Sequence, residues 1–377
     1  MNTGKTPLSW VLGYDRREAG PQENTWVAHY RLSALVNQGY ISTDEGRGLL
    51  MESGLVDMVW QIMWAEGFET PDEMLEKRLD EVEGYAVFVH GWTGNHSIWE
   101  DLPGMVVKAN RQLVALAVDH NGFGGSVFVD DTPSLESCCP PAAMTTLEKL
   151  VNLLKLRRQP GQTRPKVINF VGHSMGGAAL FYLNPINWRI GEETRYAVAP
   201  ALLLNDSLHK AFYTTLGVGI GLVDRLRIFE PIERLIKPNM IDVLCGGSSE
   251  FVRDTHSVQY DETPRGITSS TFQAMGLLQN REIAHKWDTF RVLLGHRDAL
   301  VGLSSMMDLL SLMEVPAGNV RVVAGSHYMF SVGQDTAFQH AQNRDLALQD
   351  ILNLHSQALT LQKTGQWVGG DGSRGFG

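Results

Sequence analysis

The chain has 377 residues, of which 43% are hydrophobic, enough to bury one large domain with an additional element. Its formal charge of −10, with no basic cluster, argues against nucleic acid or an anionic membrane surface as a partner. Three cysteines (Cys138, Cys139 and Cys245), two of them adjacent, make a poor disulfide framework and favour a reducing, cytoplasmic setting; the apolar stretch Leu8 to Leu12 is too brief for a signal peptide, and no run reaches transmembrane length.

Residues 1–82 read as a helical N-terminal extension. Ser42 with Glu45, and Thr70 with Pro71 and Glu73, are capping-box signatures that place helix starts. Between them Leu55, Val56, Met58, Val59, Trp60, Ile62, Met63 and Trp64 would be apolar on more than one helical face, which predicts a helix buried on several sides. Such a helix either packs on a sheet or forms a homodimer surface or an entrance wall.

From Tyr85 onward, strands are expected at 84–89, 112–118, 166–171, 197–204, 289–295 and 319–325, alternating with helical stretches. This pattern predicts an α/β core at 83–205 and 286–362, a mostly parallel sheet with helices on both faces. The interval 206–285 is far longer than a simple connection needs. It carries Phe212, Tyr213, Leu216, Leu222, Val223, Leu226, Ile228, Phe229, Ile232, Leu235 and Ile241, and is expected to be a mostly helical cap. The glycine-rich tail 363–377 reads as disordered.

Within this order, Gly172-His173-Ser174-Met175-Gly176 directly follows the apolar run Val167 to Val171 and precedes Gly177-Ala178-Ala179-Leu180. A serine at the tip of a sharp strand-to-helix turn takes a strained backbone, and side chains two residues to either side would collide unless they are glycine. The string alone is weak evidence; the strand before it and the small-residue helix start after it make it a nucleophile elbow. His90-Gly91-Trp92-Thr93-Gly94 ends an earlier strand in a turn that exposes N–H groups, so Trp92 and Met175 are the expected oxyanion donors. Gly295-His296-Arg297-Asp298 and Gly325-Ser326-His327 each follow a strand, and supply an acid and a base in the chain order Ser174, Asp298, His327. Asp206, at the end of another expected strand, competes with Asp298. His90 and His173 are read as loop-orienting groups, and His96, His120 and His296 as bystanders.

These ordered motifs, together with Asp119-His120-Asn121-Gly122-Phe123-Gly124-Gly125-Ser126 as a D-x-x-G-x-G-x-S loop, resemble the α/β-hydrolase family over residues 84–360. The HG-type turn, GHSMGG and the apparent cap are most similar to its esterase, monoacylglycerol-lipase and lysophospholipase-like members. The helical opening departs from the family pattern, which usually begins with strands. The resemblance implies a capped carboxylic ester hydrolase acting through an acyl-enzyme on Ser174, with a small-molecule ester as partner and no cofactor. Carbon–carbon hydrolases, thioesterases and perhydrolases share the fold, and a ligand sensor using the same pocket is the alternative from another class. Other signals fail: Gly4-Lys5-Thr6 lacks a preceding strand and glycine, Gly217, Gly219 and Gly221 complete no dinucleotide fingerprint, and no metal-ligand spacing is present.

Overall fold

The computed structural model describes residues 14–18, 24–65, 82–156, 166–182, 192–202, 215, 217–219, 230–276, 287–332 and 338–364. Its strands are β1 (Tyr14–Glu18), β2 (Asn24–Arg31), β3 (Val59–Trp64), β4 (Gly84–Val89), β5 (Leu113–Val118), β6 (Val167–His173), β7 (Glu193–Val198), β8 (Phe290–Gly295) and β9 (Val320–Val323). The helices are α1 (Leu32–Asn37), α2 (Thr43–Ser53), α3 (Leu102–Ala109), α4 (Pro140–Leu153), α5 (Met175–Ala179), α6 (Glu230–Cys245), α7 (Glu250–Glu262), α8 (Arg265–Gly276), α9 (Leu303–Leu312) and α10 (Phe338–Thr364).

The strands form one sheet in the order β1-β2-β3-β5-β4-β6-β7-β8-β9. From β5 through β9 all neighbours are parallel, whereas β1, β2 and β3 join in antiparallel fashion. Alternation of side chains along each strand divides the interior into two cores, one on each face. Val87, Val89, Leu116, Phe170 and Val292 face one core with α4 residues Leu147 and Leu150 and α9 residues Leu309 and Leu310. Ala86, Phe88, Ala115, Val171 and Leu293 face the other with Val106 and Val107 of α3 and Ile351 and Leu354 of α10.

The N-terminal region corrects the helical expectation. Residues 59–64 are a strand, with Trp60, Ile62 and Trp64 in the first core and Met63 in the second. Trp60 pairs with Tyr30 on one side and Val118 on the other. A strand covered on both faces is apolar at nearly every position, so its alternation is hidden and the same residues also fit a buried helix. Of that run, Leu55, Met58, Trp60, Ile62, Met63 and Trp64 are buried within the chain, whereas Val56 is exposed. The Ser42 start does hold: its hydroxyl accepts from the Glu45 N–H at 3.3 Å and donates to the Glu45 carboxylate at 2.6 Å, opening α2. The Thr70–Glu73 start and residues 365–377 of the tail lie outside the described residues, while Lys363 and Thr364, expected in that tail, end α10.

The fourth core strand also begins earlier than expected, at Glu193 instead of residue 197, and ends at Val198. Charged residues read as exposed, yet Glu193 and Arg195 are fully buried, with the guanidinium 3.5 Å from Glu193 and 3.9 Å from Glu148. A buried charge that is paired can occupy a strand that sequence alone would shorten. In the expected cap, the described part is helical: α6, α7 and α8 follow one another over residues 230–276. No helix among the described residues is long and apolar enough to cross a membrane.

Candidate active site

β4 lies between β5 and β6, so the strand order reverses around it and its carboxyl end opens beside that of β6. Val89 pairs with Gly172, which delivers the turn after β4 and the residue after β6 to one place. Ser174 sits there with φ 53° and ψ −116°, outside the regions that L-residues favour. Its N–H donates to Val198 O at 3.0 Å, while its C=O accepts from Ala178 and Ala201. The glycines are required by distance: a Cβ at Gly172 would lie 2.4 Å from Gly176 O, and one at Gly176 would lie 2.4 Å from Val89 O. A Cβ at Gly91 would lie 2.8 Å from that of Ser174, which explains the second glycine-bearing turn.

That turn is closed by the Gly94 N–H donating to Gly91 O at 3.1 Å. Thr93, its third residue, has φ 53°, unusual for a β-branched side chain. Two histidines shape it from below: His90 Nδ1 donates to Gly91 O at 2.7 Å, and His120 Nε2 donates to His90 O at 2.8 Å. Burial drives the His90 pKa well below its usual value and that of His120 down to about 4, so both stay neutral and keep one fixed donor. The Trp92 N–H lies in this turn; the Met175 N–H is the first of α5 and has no acceptor within its helix.

Asp298 and His327 come together as expected. The His327 Nδ1–H donates to Asp298 Oδ2 at 2.8 Å, and Asp298 Oδ1 accepts from the Leu300 and Val301 N–H groups at 3.0 and 3.1 Å. Burial raises the Asp298 carboxyl, but His327 and those two N–H groups outweigh it and hold the pKa below the usual value. The loops are joined by Arg297 N–H to Gly325 O at 2.9 Å. His173, next to Ser174, donates from Nε2 to His327 O at 3.0 Å and so ties the elbow to the loop that bears His327. Among the described residues, His327 Nε2 is buried and has no hydrogen-bond partner, the Ser174 hydroxyl included. Ser174, Asp298 and His327 are 3%, 7% and 1% exposed, so the centre is enclosed. The competitor Asp206 lies outside the described residues.

The D-x-x-G-x-G-x-S loop braces the site. Asp119 accepts from the His96 N–H at 2.7 Å and ring Nδ1 at 2.9 Å, and from Gly125 N–H at 2.9 Å. Gly124, with φ 63°, is needed because a Cβ there would meet the Asp119 carboxylate at 2.3 Å. His96 thus holds a loop, as does His296, which accepts from the Gly325 N–H.

Sequence reading missed the contacts from the inserted helices. The Trp92 indole N–H reaches Thr268 O at 3.2 Å and Thr271 Oγ1 at 3.1 Å, with its ring packed on Phe272 and Tyr260. Gln259 Oε1 accepts from Gly124 N–H at 2.8 Å, and His256 contacts both Thr93 and Tyr328. Val252, His256 and Tyr260 repeat at i, i+4 and are all buried, so a histidine on an apolar helical stripe was the available signal. Among the described residues, no group of three or more His, Cys, Asp or Glu side chains is arranged to hold a metal ion.

Comparison with known proteins bears on the family and the fold. A model of the alpha/beta hydrolase family matches residues 86–348. A search of curated proteins finds no match. Among solved structures, the esterase EaEST from Exiguobacterium antarcticum is similar at 15% identity and TM-score 0.52, over 73% of this chain and 93% of that one. A thermophilic esterase from Thermogutta terrifontis aligns at 15% identity and TM-score 0.52, over 79% and 94%. A bromoperoxidase from Bacillus anthracis aligns at 15% identity and TM-score 0.54, over 79% and 95%. At such identities the likeness is one of fold, and with the family match over most of the sequence it leads to one conclusion: this chain is a member of the alpha/beta hydrolase family.

Proposed function

We propose that the protein hydrolyses carboxylic esters through an acyl-enzyme on Ser174. The observation that carries this reading is the state of His327: Nδ1 is committed to Asp298, which leaves the lone pair on a buried Nε2 that has no partner among the described residues, and His173 of the elbow holds the backbone carbonyl of the same residue. In this reading His327 takes the Ser174 hydroxyl proton as Oγ attacks the ester carbonyl, and the negative charge moves to the carbonyl oxygen. The Trp92 and Met175 N–H groups receive that charge, and losing one such donor typically costs about 3 kcal/mol of barrier. His327 then gives its proton to the leaving alcohol. Water repeats the attack on the acyl-enzyme, and its proton follows the same route. Asp298 keeps the imidazole tautomer and steadies its charged form.

The apolar Trp92, Tyr260 and Phe272 beside the oxyanion turn favour small to medium or aromatic acyl groups over charged ones, because an unpaired charge buried there is heavily penalised. The test combines p-nitrophenyl esters of graded acyl length with a fluorophosphonate probe. Turnover of the uncharged esters and labelling confined to Ser174, both lost in Ser174→Ala, are expected. Label on another serine, or full activity in Ser174→Ala, would refute the assignment.

A further inference from the structure

The inserted segment contributes a side chain whose contacts go beyond covering the site. His256, on α7, is completely buried, and each of its ring nitrogens has a polar partner. Nδ1 is 2.9 Å from Thr93 Oγ1, and Nε2 meets the Tyr328 hydroxyl. Thr93 Oγ1 in turn donates to Trp92 O at 2.8 Å. Tyr328 adjoins His327, and Thr93 adjoins Trp92, so one imidazole spans the base loop and the turn bearing an oxyanion donor.

The protons can be counted. Burial lowers the His256 pKa to about 3 and raises that of Tyr328 well above its usual value, so the imidazole carries one N–H and the phenol keeps its proton. Thr93 has one hydroxyl proton, and Trp92 O takes it. Nδ1 must then be the donor to Thr93, and Nε2 accepts from Tyr328. The result is a one-way chain from Tyr328 through His256 and Thr93 to the Trp92 carbonyl, with every proton used. Its end is the strained part of the turn, where Thr93 holds a positive φ that its side chain disfavours. Such a conformation persists only when its surroundings hold it, and the described side chain that reaches the Thr93 hydroxyl from outside the turn is His256.

We propose that His256 is a positioning residue for the reaction, setting the oxyanion turn at Trp92 against the His327 loop through Thr93 and Tyr328. The inference rests on the ester-hydrolase reading of the site. It makes α7 part of the catalytic scaffold, so that the cap does more than select substrates by shape.

The experiment compares wild type with His256→Leu, His256→Asn, Thr93→Val, Tyr328→Phe and the His256→Leu/Thr93→Val double variant. Each is measured for kcat and KM on a p-nitrophenyl ester and for the rate of fluorophosphonate labelling at Ser174. His256→Leu and Thr93→Val should each lower kcat and the labelling rate at least about tenfold with KM little changed, as expected when only transition-state interactions are lost. The double variant should be no worse than the weaker single, because both cut one chain. Asn carries a donor near the Nδ1 position and should recover part of the rate. Rates within twofold of wild type in Thr93→Val, or losses that multiply in the double variant, would overturn the proposal. If His256→Leu does not fold, Thr93→Val and Tyr328→Phe decide, each deleting one hydroxyl. Nitrogen NMR of labelled histidine supplies a readout that needs no reaction: His256 should be neutral with its proton on Nδ1, and the opposite tautomer would sink the chain. A wild type that turns over no ester but is labelled at Ser174 would defeat the ester reading alone, since labelling rates still report the positioning effect.

Discussion

At Ser174 the backbone angles, a φ of 53° and a ψ of −116°, store strain on the order of 1–3 kcal/mol, held in place by the packing around the elbow. Gly176 shows how little room that packing leaves. A methyl group there would lie 2.4 Å from Val89 O and 2.5 Å from His90 O, both backbone atoms of a strand end fixed between two neighbours. Gly176→Ala should therefore displace the elbow and lower kcat/KM at least about 100-fold, since misplacement by an ångström is enough for such a loss. Near-normal kinetics in the folded variant would show that the elbow can yield. In the proposed mechanism Asp298 acts by charge as well as shape. Asp298→Asn keeps the Leu300 and Val301 contacts within reach of its carbonyl oxygen, but its amide can force the wrong tautomer on His327. A fall in kcat of about 10² to 10⁴-fold is expected, against less than about tenfold for Asp206→Asn. Circular dichroism should find both folded, and the reverse ranking would place the acid on the wrong strand. The placement of these residues was legible because it depends on local sequence: a glycine two positions from a serine, or an acid just past a strand, is visible in a short window.

Elements were legible unevenly, for reasons that lie in their partners. β4, β5, β6 and β8 announce themselves as largely apolar runs bounded by turn residues, broken only by Asn169 in β6 and Arg291 in β8, and the observed ends agree to within a residue or two. β3 carries a comparable run, Val59 to Trp64, but between antiparallel neighbours and flanked by a capping-box helix. Nothing within ten residues distinguishes a two-sided strand from a buried helix there. β7 fails in the opposite direction, since Arg195 and Glu193 make a central strand look like a surface segment until Glu148 of α4 is brought across. The apolar stripe marked His256 as buried, but its role was hidden for a third reason: its partners Thr93 and Tyr328 are far off in sequence, on either side of the insertion. The strand assignment has a measurable consequence. Trp64 is fully buried, stacks against Trp26 at 6.3 Å between centroids, and pairs with Val114 of β5. Trp64→Ala should destabilise the fold by about 3–5 kcal/mol by urea unfolding, the usual range for an aromatic removed from a core. A loss below about 1 kcal/mol would mean that this strand is peripheral to the cooperative unit.

Across the whole molecule the same arrangement recurs, in which buried neutral histidines tie separate segments of the chain together. His90, His120, His173, His256 and His355 all lie inside, and burial lowers the pKa of each, to about 4 for His120 and His355 and to about 3 for His256. Their effect on stability has a definite sign. Below pH 6.5 the unfolded chain takes up protons that the folded chain refuses, so unfolding is favoured increasingly as pH falls, until the folded groups themselves titrate. Each histidine contributes a slope of up to about 1.4 kcal/mol per pH unit over that window. Asp298 and Asp119, both held below the usual carboxylate value, reinforce the trend at the acid end, since their stabilisation is lost as pH falls through their folded pKa. The protein should therefore unfold cooperatively in mild acid, with urea midpoints falling steeply between pH 6.5 and pH 4. His355 isolates the effect: it is buried on the far side of the sheet's catalytic edge, where Asn169 Nδ2 donates to its Nδ1 at 3.1 Å, and it takes no part in the proposed chemistry. His355→Gln removes one titrating group while leaving an amide acceptor in its place. The slope of stability against pH should drop by up to about 1.4 kcal/mol per unit in that variant, with kcat unchanged at pH 7.5. A wild-type stability that stays flat from pH 7 to pH 5 would mean that these histidines are protonated in the folded state, and the fixed neutral donors assigned to the loops around Ser174 would have to be withdrawn.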